Sequence, residues 1–441
     1  MTETLNDISR DRFLADLSAV KPNGSPEWLK KLRADAAARF SGTPWPNTKM
    51  EEWRHTNISA LVKTEFRALT APPATLPSTQ ELAGITFDNQ DWPELVIVDG
   101  YFAPSLSSGA VPEGVTLVGL HDAIQGPQAA IVEKHLNQYL GERSAYTALN
   151  SAFLQDGAFV HVAKNVAVES PIHLLFVTTG REVNTAANLR NLIVLEPGAQ
   201  ATIIASYISL AGDTAYLNNV VEEVAVGQNA RLEYYRVVRE GAQGNHLATI
   251  EVRHERDAYC KTYSFSLEGG IIRNQLCTDL AGENAECNLA GLYLNDGKRL
   301  LDNALEITHR VPNCRSRILY KGILDGESKA VFAGRVNVHR DAQKTDSDQL
   351  SNNLLLSDTA TIDAKPQLEI YADDVKCTHG ATIGSPPEKI IFYFRSRGIA
   401  EDMARAMLTY GFADEVVDEV EVEPLQEWLN DYIYKRYSPI A

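Results

Sequence analysis

The stretch GQNARLEYYRVVREGAQGNHLATIEVRHERDA, residues 227–258, decides the fold. It opens on Gly227-Gln228-Asn229-Ala230 and closes on Glu255-Arg256-Asp257-Ala258. Each is a polar corner that ends in a small residue ahead of a strand-like run. Between the corners lie short runs rich in Val, Ile, Leu and Tyr, with no helical stripe. The corner recurs upstream as Gly198-Ala199-Gln200-Ala201, and downstream as Gly282-Glu283-Asn284-Ala285 and Val311-Pro312-Asn313-Cys314. Its final small residue falls at 201, 230, 258, 285 and 314, in steps of 29, 28, 27 and 29. A second, offset series has Glu327-Ser328-Lys329-Ala330 and Ser357-Asp358-Thr359-Ala360, a step of 30. The same tetrads would serve as turns in a β-sandwich, but four nearly equal steps favour a solenoid whose coils stack. Because the coils are mostly strand, the predicted fold is mainly β, a β-helix.

Working outward, the strand-dominated block spans 157–384 and includes AFVHVA, IHLLFVTT, NLIVLEPG and ATIIASYISL. Residues 1–156 read as a mainly helical N-terminal region. There Trp28, Leu29, Leu32, Ala36 and Phe40 make one apolar face, Pro26 precedes it, and Thr43-Pro44-Trp45-Pro46 stops it. Leu95-Val96-Ile97-Val98 reads as a short strand, and 128–154 as a further helix. Residues 385–441 form a C-terminal helical region. Met403, Met407 and Tyr410 keep helical spacing, Gly411 reads as a C-cap, and Leu425, Trp428, Leu429, Tyr432 and Ile433 give an amphipathic stripe. Such helices suit the covering of a solenoid's last coil.

The chain carries 41 basic and 58 acidic residues, net −17, which disfavours nucleic-acid backbones and anionic membrane surfaces. No apolar run reaches transmembrane length, and the N-terminus MTETLNDISRDRF lacks an apolar signal core. The expectation is a cytoplasmic protein. There is no phosphate-binding GxxxxGK[ST], no strand-linked GxGxxG, no GxSxG and no HExxH.

The five cysteines form no CxxC, so a disulfide framework or self-contained cluster site is disfavoured. Cys260, Cys287 and Cys314 are 27 residues apart, which predicts an interior ladder. Cys377-Thr378-His379 places a thiol and an imidazole on one face of a strand. Together they suit iron, zinc or copper(I), though two ligands are too few for a stable site in one chain. A buried cysteine beside a hydrogen-bonded histidine is the alternative. Asp346 and Asp348 form a possible carboxylate pair, as in exported β-helix enzymes that cleave acidic polysaccharides.

The run from Asp341 to Ile399 carries a family resemblance. It includes Lys365-Pro366-Gln367-Leu368-Glu369-Ile370, Asp373-Asp374-Val375-Lys376-Cys377-Thr378-His379-Gly380 and Phe394-Arg395-Ser396-Arg397-Gly398. It resembles the SufB/SufD family of iron–sulfur cluster assembly proteins. Cys-Thr-His-Gly and the N-terminal Glu52-Trp53-Arg54-His55-Thr56 place it on the SufD side of that family. The resemblance implies a right-handed parallel β-helix flanked by helical regions, and a non-catalytic scaffold subunit that pairs with SufB through the β-helix. It implies docking of the SufC ATPase on the C-terminal helices, through Met403, Met407, Tyr410 and Phe412. It makes His379, with Cys377 beside it, a ligand of a nascent iron–sulfur cluster held jointly with SufB. No group is expected to be bound stably by the isolated chain, reduced flavin enters at the level of the complex, and the isolated chain forms a homodimer. The rival readings are a polysaccharide lyase or hydrolase, and a purely structural β-helix homodimer. The last 41 residues hold 10 acids against 3 bases, so SufC docking is expected to weaken as salt rises.

Overall fold

A computed structural model of the chain describes residues 2–20, 24–85, 87, 91–141 and 144–439. Between Ala158 and Gly384 the chain winds through eight turns, each contributing one strand to each of two parallel sheets. The first sheet runs from Ala158–Val162 to Thr361–Ile370, and the second from Ile172–Thr178 to Lys376–Gly384. Val115–Gly119 pairs antiparallel with the first strand of one sheet, and Glu94–Val98 closes the start of the other. The β-helix read from the repeat is present, with the parallel strand pairing that the resemblance implies.

Strand register explains the repeat and corrects its phase. Gln200, Arg231, Tyr259, Glu286, Arg315, Asp346 and Lys376 stack as successive partners. The buried residue just before each of the first six is Ala199, Ala230, Ala258, Ala285, Cys314 and Thr345. The first corner is therefore Ala199, not Ala201. Likewise Lys329 pairs with Thr361, so Ser328 and Ala360 are the equivalent corner residues, not Ala330 and Ala360. The corner recurs because its penultimate residue has positive φ: Asn229 (56°), Asp257 (59°), Asn284 (59°), Asn313 (65°) and Lys344 (63°). Asn and Asp tolerate that region best, and a small residue then fits the tight interior.

The helical regions cover the outer faces of the sheets. Helix Glu27–Gly42 starts at Pro26 and buries Leu29, Ala36 and Phe40. Phe40, Trp45, Trp53 and Phe66 pack toward Ala186, Leu217 and Leu247 on the first sheet. The predicted helix over 128–154 is two helices, Ala129–His135 and Ala145–Phe153. Asn137 (φ 63°) and Gly141 (φ 58°) break the path, and Ser144 and Thr147 then form a capping box.

Helices Glu401–Val417 and Glu423–Tyr437 bury Ala413, Val416, Leu425, Leu429 and Ile433 against Tyr235, Tyr263, Phe265, Leu292 and Ile323 on the outside of the second sheet. They do not cap the last coil. The outer face of the inner turns is the apolar surface that matches their stripe, and burial there outweighs covering the polar terminal turn. Gly411 lies inside helix Glu401–Val417 rather than at its end, because packing on either side holds the helix through it.

Candidate functional site

The last turn is open. No described strand pairs beyond Thr361–Ile370 or Lys376–Gly384. Lys376 donates its N–H to Thr345 O at 2.8 Å, so in the regular parallel ladder alternate residues bond inward. Cys377, His379, Ala381 and Ile383 consequently turn their main-chain N–H and C=O toward the free edge. In the first sheet Thr361 and Tyr371 bond back to Ser328 and Val338, which leaves Pro366, with no N–H, facing outward at mid-edge.

Cys377 and His379 lie two residues apart on the inner face, at the mouth of the solenoid. Cys377 is half-buried against the core, and His379 is exposed. Burial, reinforced by the nearby Asp346 carboxylate, pushes the Cys377 thiol above its ordinary value. Beneath Cys377 runs a column of register partners, Ser347, Ser316, Cys287 and Cys260. Ser316 donates to Ser347 at 2.8 Å, and His309 Nε2 lies 2.9 Å from the Ser316 hydroxyl. Cys260 and Cys287 thus stack as predicted, but Cys314 does not join them. It occupies the corner two positions earlier, and the ladder continues through serines to Cys377. Burial pushes the Cys260 thiol up to about 12 and Cys314 to about 11, so these inner thiols stay protonated and structural.

Beneath His379 the register partner is Gln349, which is fully buried. The sequence reading missed Gln349 and Ser347. Their offset of 30 residues from His379 and Cys377, one turn, was the available signal. Asp346 and Asp348 point to the outer face, and Asp348 accepts a hydrogen bond from Thr378. No group of three or more His, Cys, Asp or Glu positioned to hold a metal occurs among the described residues.

The N-terminal segment 51–56 clasps this end of the solenoid. Trp53 lies over the Arg273 guanidinium at 4.0 Å, and both Arg273 and Thr56 bond the Asp302 carboxylate. Glu52 is 3.6 Å from Arg335, His55 is 3.1 Å from Asp363, and Glu51 pairs with Lys365. Arg273, Asp302, Arg335 and Asp363 stand on four consecutive strands of the first sheet, ending at the terminal turn.

On the C-terminal helices, Met403, Met407 and Tyr410 line a pocket of about 290 Å³ with Ala406, Ile433, Tyr434 and Tyr437. Its walls are almost wholly apolar, and Met407 is 46% exposed. Phe412 is not part of it. Two residues on from Tyr410 it faces the solenoid, where Lys321 Nζ sits 4.5 Å over its ring.

Comparison with known proteins identifies the chain's relatives. Residues 176–412 match the family model described as SUF system FeS cluster assembly, SufBD core domain, and residues 12–174 match the SufBD protein N-terminal region. The chain is 32% identical over 388 residues to the iron–sulfur cluster assembly protein SufD of Escherichia coli, covering 87% of this chain and 88% of that one. It is 30% identical over 410 residues to an iron–sulfur cluster assembly SufBD family protein of Synechocystis, covering 90% and 89%. It is 27% identical over 423 residues to SufD of Bacillus subtilis, covering 93% and 94%.

Proposed function

The chain belongs to the SufBD family of iron–sulfur cluster assembly proteins, and from that premise we propose that it is the SufD-type scaffold subunit of a cytosolic SufB–SufC–SufD complex, without turnover of its own. The observation that carries this reading is the open terminal strand. It offers an unpaired main-chain edge and, on the same residues, a thiol and an imidazole. A SufB strand added along that edge would bring its own ligands beside Cys377 and His379. Two soft-to-borderline donors from this chain, completed by a partner, suit an iron–sulfur cluster that is cargo rather than a resident group. An uncovered apolar pocket at Met403, Met407 and Tyr410 supports SufC docking on the C-terminal helices, and the acidic helical surface supports an electrostatic share in that docking. Flavin, if it serves the assembly, acts at the level of the complex, and the same free edge supports homodimer formation by the isolated chain.

The test is reconstitution with SufB and SufC. His379→Ala is expected to assemble normally and to lose cluster formation, read by visible absorption and iron content. Normal cluster loading in that variant, or failure of the wild-type chain to capture SufB and SufC, overturns the proposal.

A further inference from the structure

We infer that Gln349 is the positioning residue for His379, fixing its imidazole tautomer from inside the solenoid. The inference rests on the proposed role of His379, but its physical basis is independent. Gln349 sits on strand Asp346–Leu355 with its side chain inside the solenoid, fully buried. Its Nε2 donates across the interior to the main-chain carbonyl of Gly334 at 3.3 Å. That contact sets which way the amide points, because an oxygen facing the carbonyl would meet acceptor with acceptor.

Glycine at 334 makes the crossing possible. A Cβ there would come 2.4 Å from Gln349 Nε2. With the nitrogen engaged, Gln349 Oε1 is a buried acceptor with no protein partner. A buried acceptor left unmade is costly, so it demands a donor. The next residue in its own column is His379, its direct register partner one strand farther out, about 4.8 Å away by sheet geometry. An imidazole N–H given to Oε1 satisfies that acceptor. It also leaves the other ring nitrogen as a lone pair directed to the open mouth, where a metal and a partner chain would arrive. Histidine ligands are commonly oriented through their second nitrogen in this way.

The test uses the whole chain labelled with 15N at histidine, with His379→Ala identifying the resonance. In the wild type, the His379 ring nitrogens are expected to show the distinct shifts of one dominant tautomer. Gln349→Leu, which keeps the volume and removes the acceptor, is expected to move them toward the averaged shifts of exchanging tautomers. Gln349→Glu, which as a buried neutral acid donates its O–H to the Gly334 carbonyl and keeps its other oxygen as the acceptor, is expected to hold them apart. In the complex with SufB and SufC, Gln349→Leu is expected to lower cluster loading by about tenfold, within the range seen when an outer partner of a metal ligand is removed. Ring shifts unchanged in Gln349→Leu, or averaged already in the wild type, overturn the inference. Normal loading in His379→Ala overturns the ligand role instead, and leaves the shift experiment to decide the hydrogen bond alone.

Discussion

Trp53→Ala is the most revealing perturbation of the clasp. Trp53 is buried, and its ring covers a guanidinium that is itself buried. Desolvation pulls Arg273 down to about 10, and its only hydrogen-bonding partner among the described residues is Asp302, with Nε and Nη2 left unpaired. Removing the indole deletes a large side chain from the interface, a change that costs about 3–5 kcal/mol at a buried site. It also strips the aromatic face from the cation, a contact worth about 2 kcal/mol when desolvated; the two figures overlap and do not add. Because each solenoid turn touches only its neighbours, the loss concentrates in the four strands that the clasp bridges. The assay is native-state hydrogen exchange read by mass spectrometry. Peptides within 271–280, 300–309, 329–338 and 361–370 are expected to exchange about 100-fold faster, the equivalent of roughly 3 kcal/mol, while 172–178, an early turn of the other sheet, is unchanged. Trp53→Phe, which retains an aromatic face, is expected to show less than half the effect. Less than threefold acceleration in Trp53→Ala, or equal acceleration in the early turns, would refute the reasoning.

Other outcomes follow from the same structure. Burial holds His254 down to about 3 and His309 to about 4, both below the unfolded value, so the unfolded chain binds the extra protons and stability falls as pH drops below about 6.5. Between pH 7 and pH 5 the His254 contribution falls by about 2 kcal/mol, and urea titrations of His254→Leu should show a shallower acid loss than wild type. Alkylation at neutral pH, mapped by mass spectrometry, is expected at Cys377 alone, with the buried Cys260, Cys277, Cys287 and Cys314 reacting only after unfolding. Met407→Glu should leave circular dichroism unchanged and weaken SufC capture at least tenfold, since a charge then enters an apolar pocket. Gly334→Ala should displace Gln349 and cost about 1–3 kcal/mol by overpacking, visible as a lower denaturation midpoint.

The repeat was legible because a corner has local causes. A residue that accepts positive φ, followed by a small buried one, must recur once per turn, and Asn229-Ala230, Asp257-Ala258 and Asn284-Ala285 show it without any tertiary information. Phase was harder. Ala201 resembles Ala199 in every local property, and only the pairing of Gln200 with Arg231 tells them apart. The same ambiguity separated Cys314 from Cys260 and Cys287. Both shifts are of two residues, which keeps a side chain on the same face, and periodicity does not resolve a shift that small when turn length varies from 27 to 31 residues.

The sequence by itself determined the solenoid, its flanking helical regions, the family, and the pairing of Cys377 with His379 on one strand face, because each depends on nearest-neighbour chemistry or on a contiguous motif. Tertiary structure alone decided that the C-terminal helices lie along the second sheet and leave the last turn bare. It alone put Gln349 beneath His379, turned Phe412 away from the Met407 pocket, and drew residues 51–56 across four turns. Those outcomes depend on contacts between residues tens to hundreds of positions apart. They are fixed by where the largest matching apolar surfaces meet, and that comparison exists only once the sheets are built.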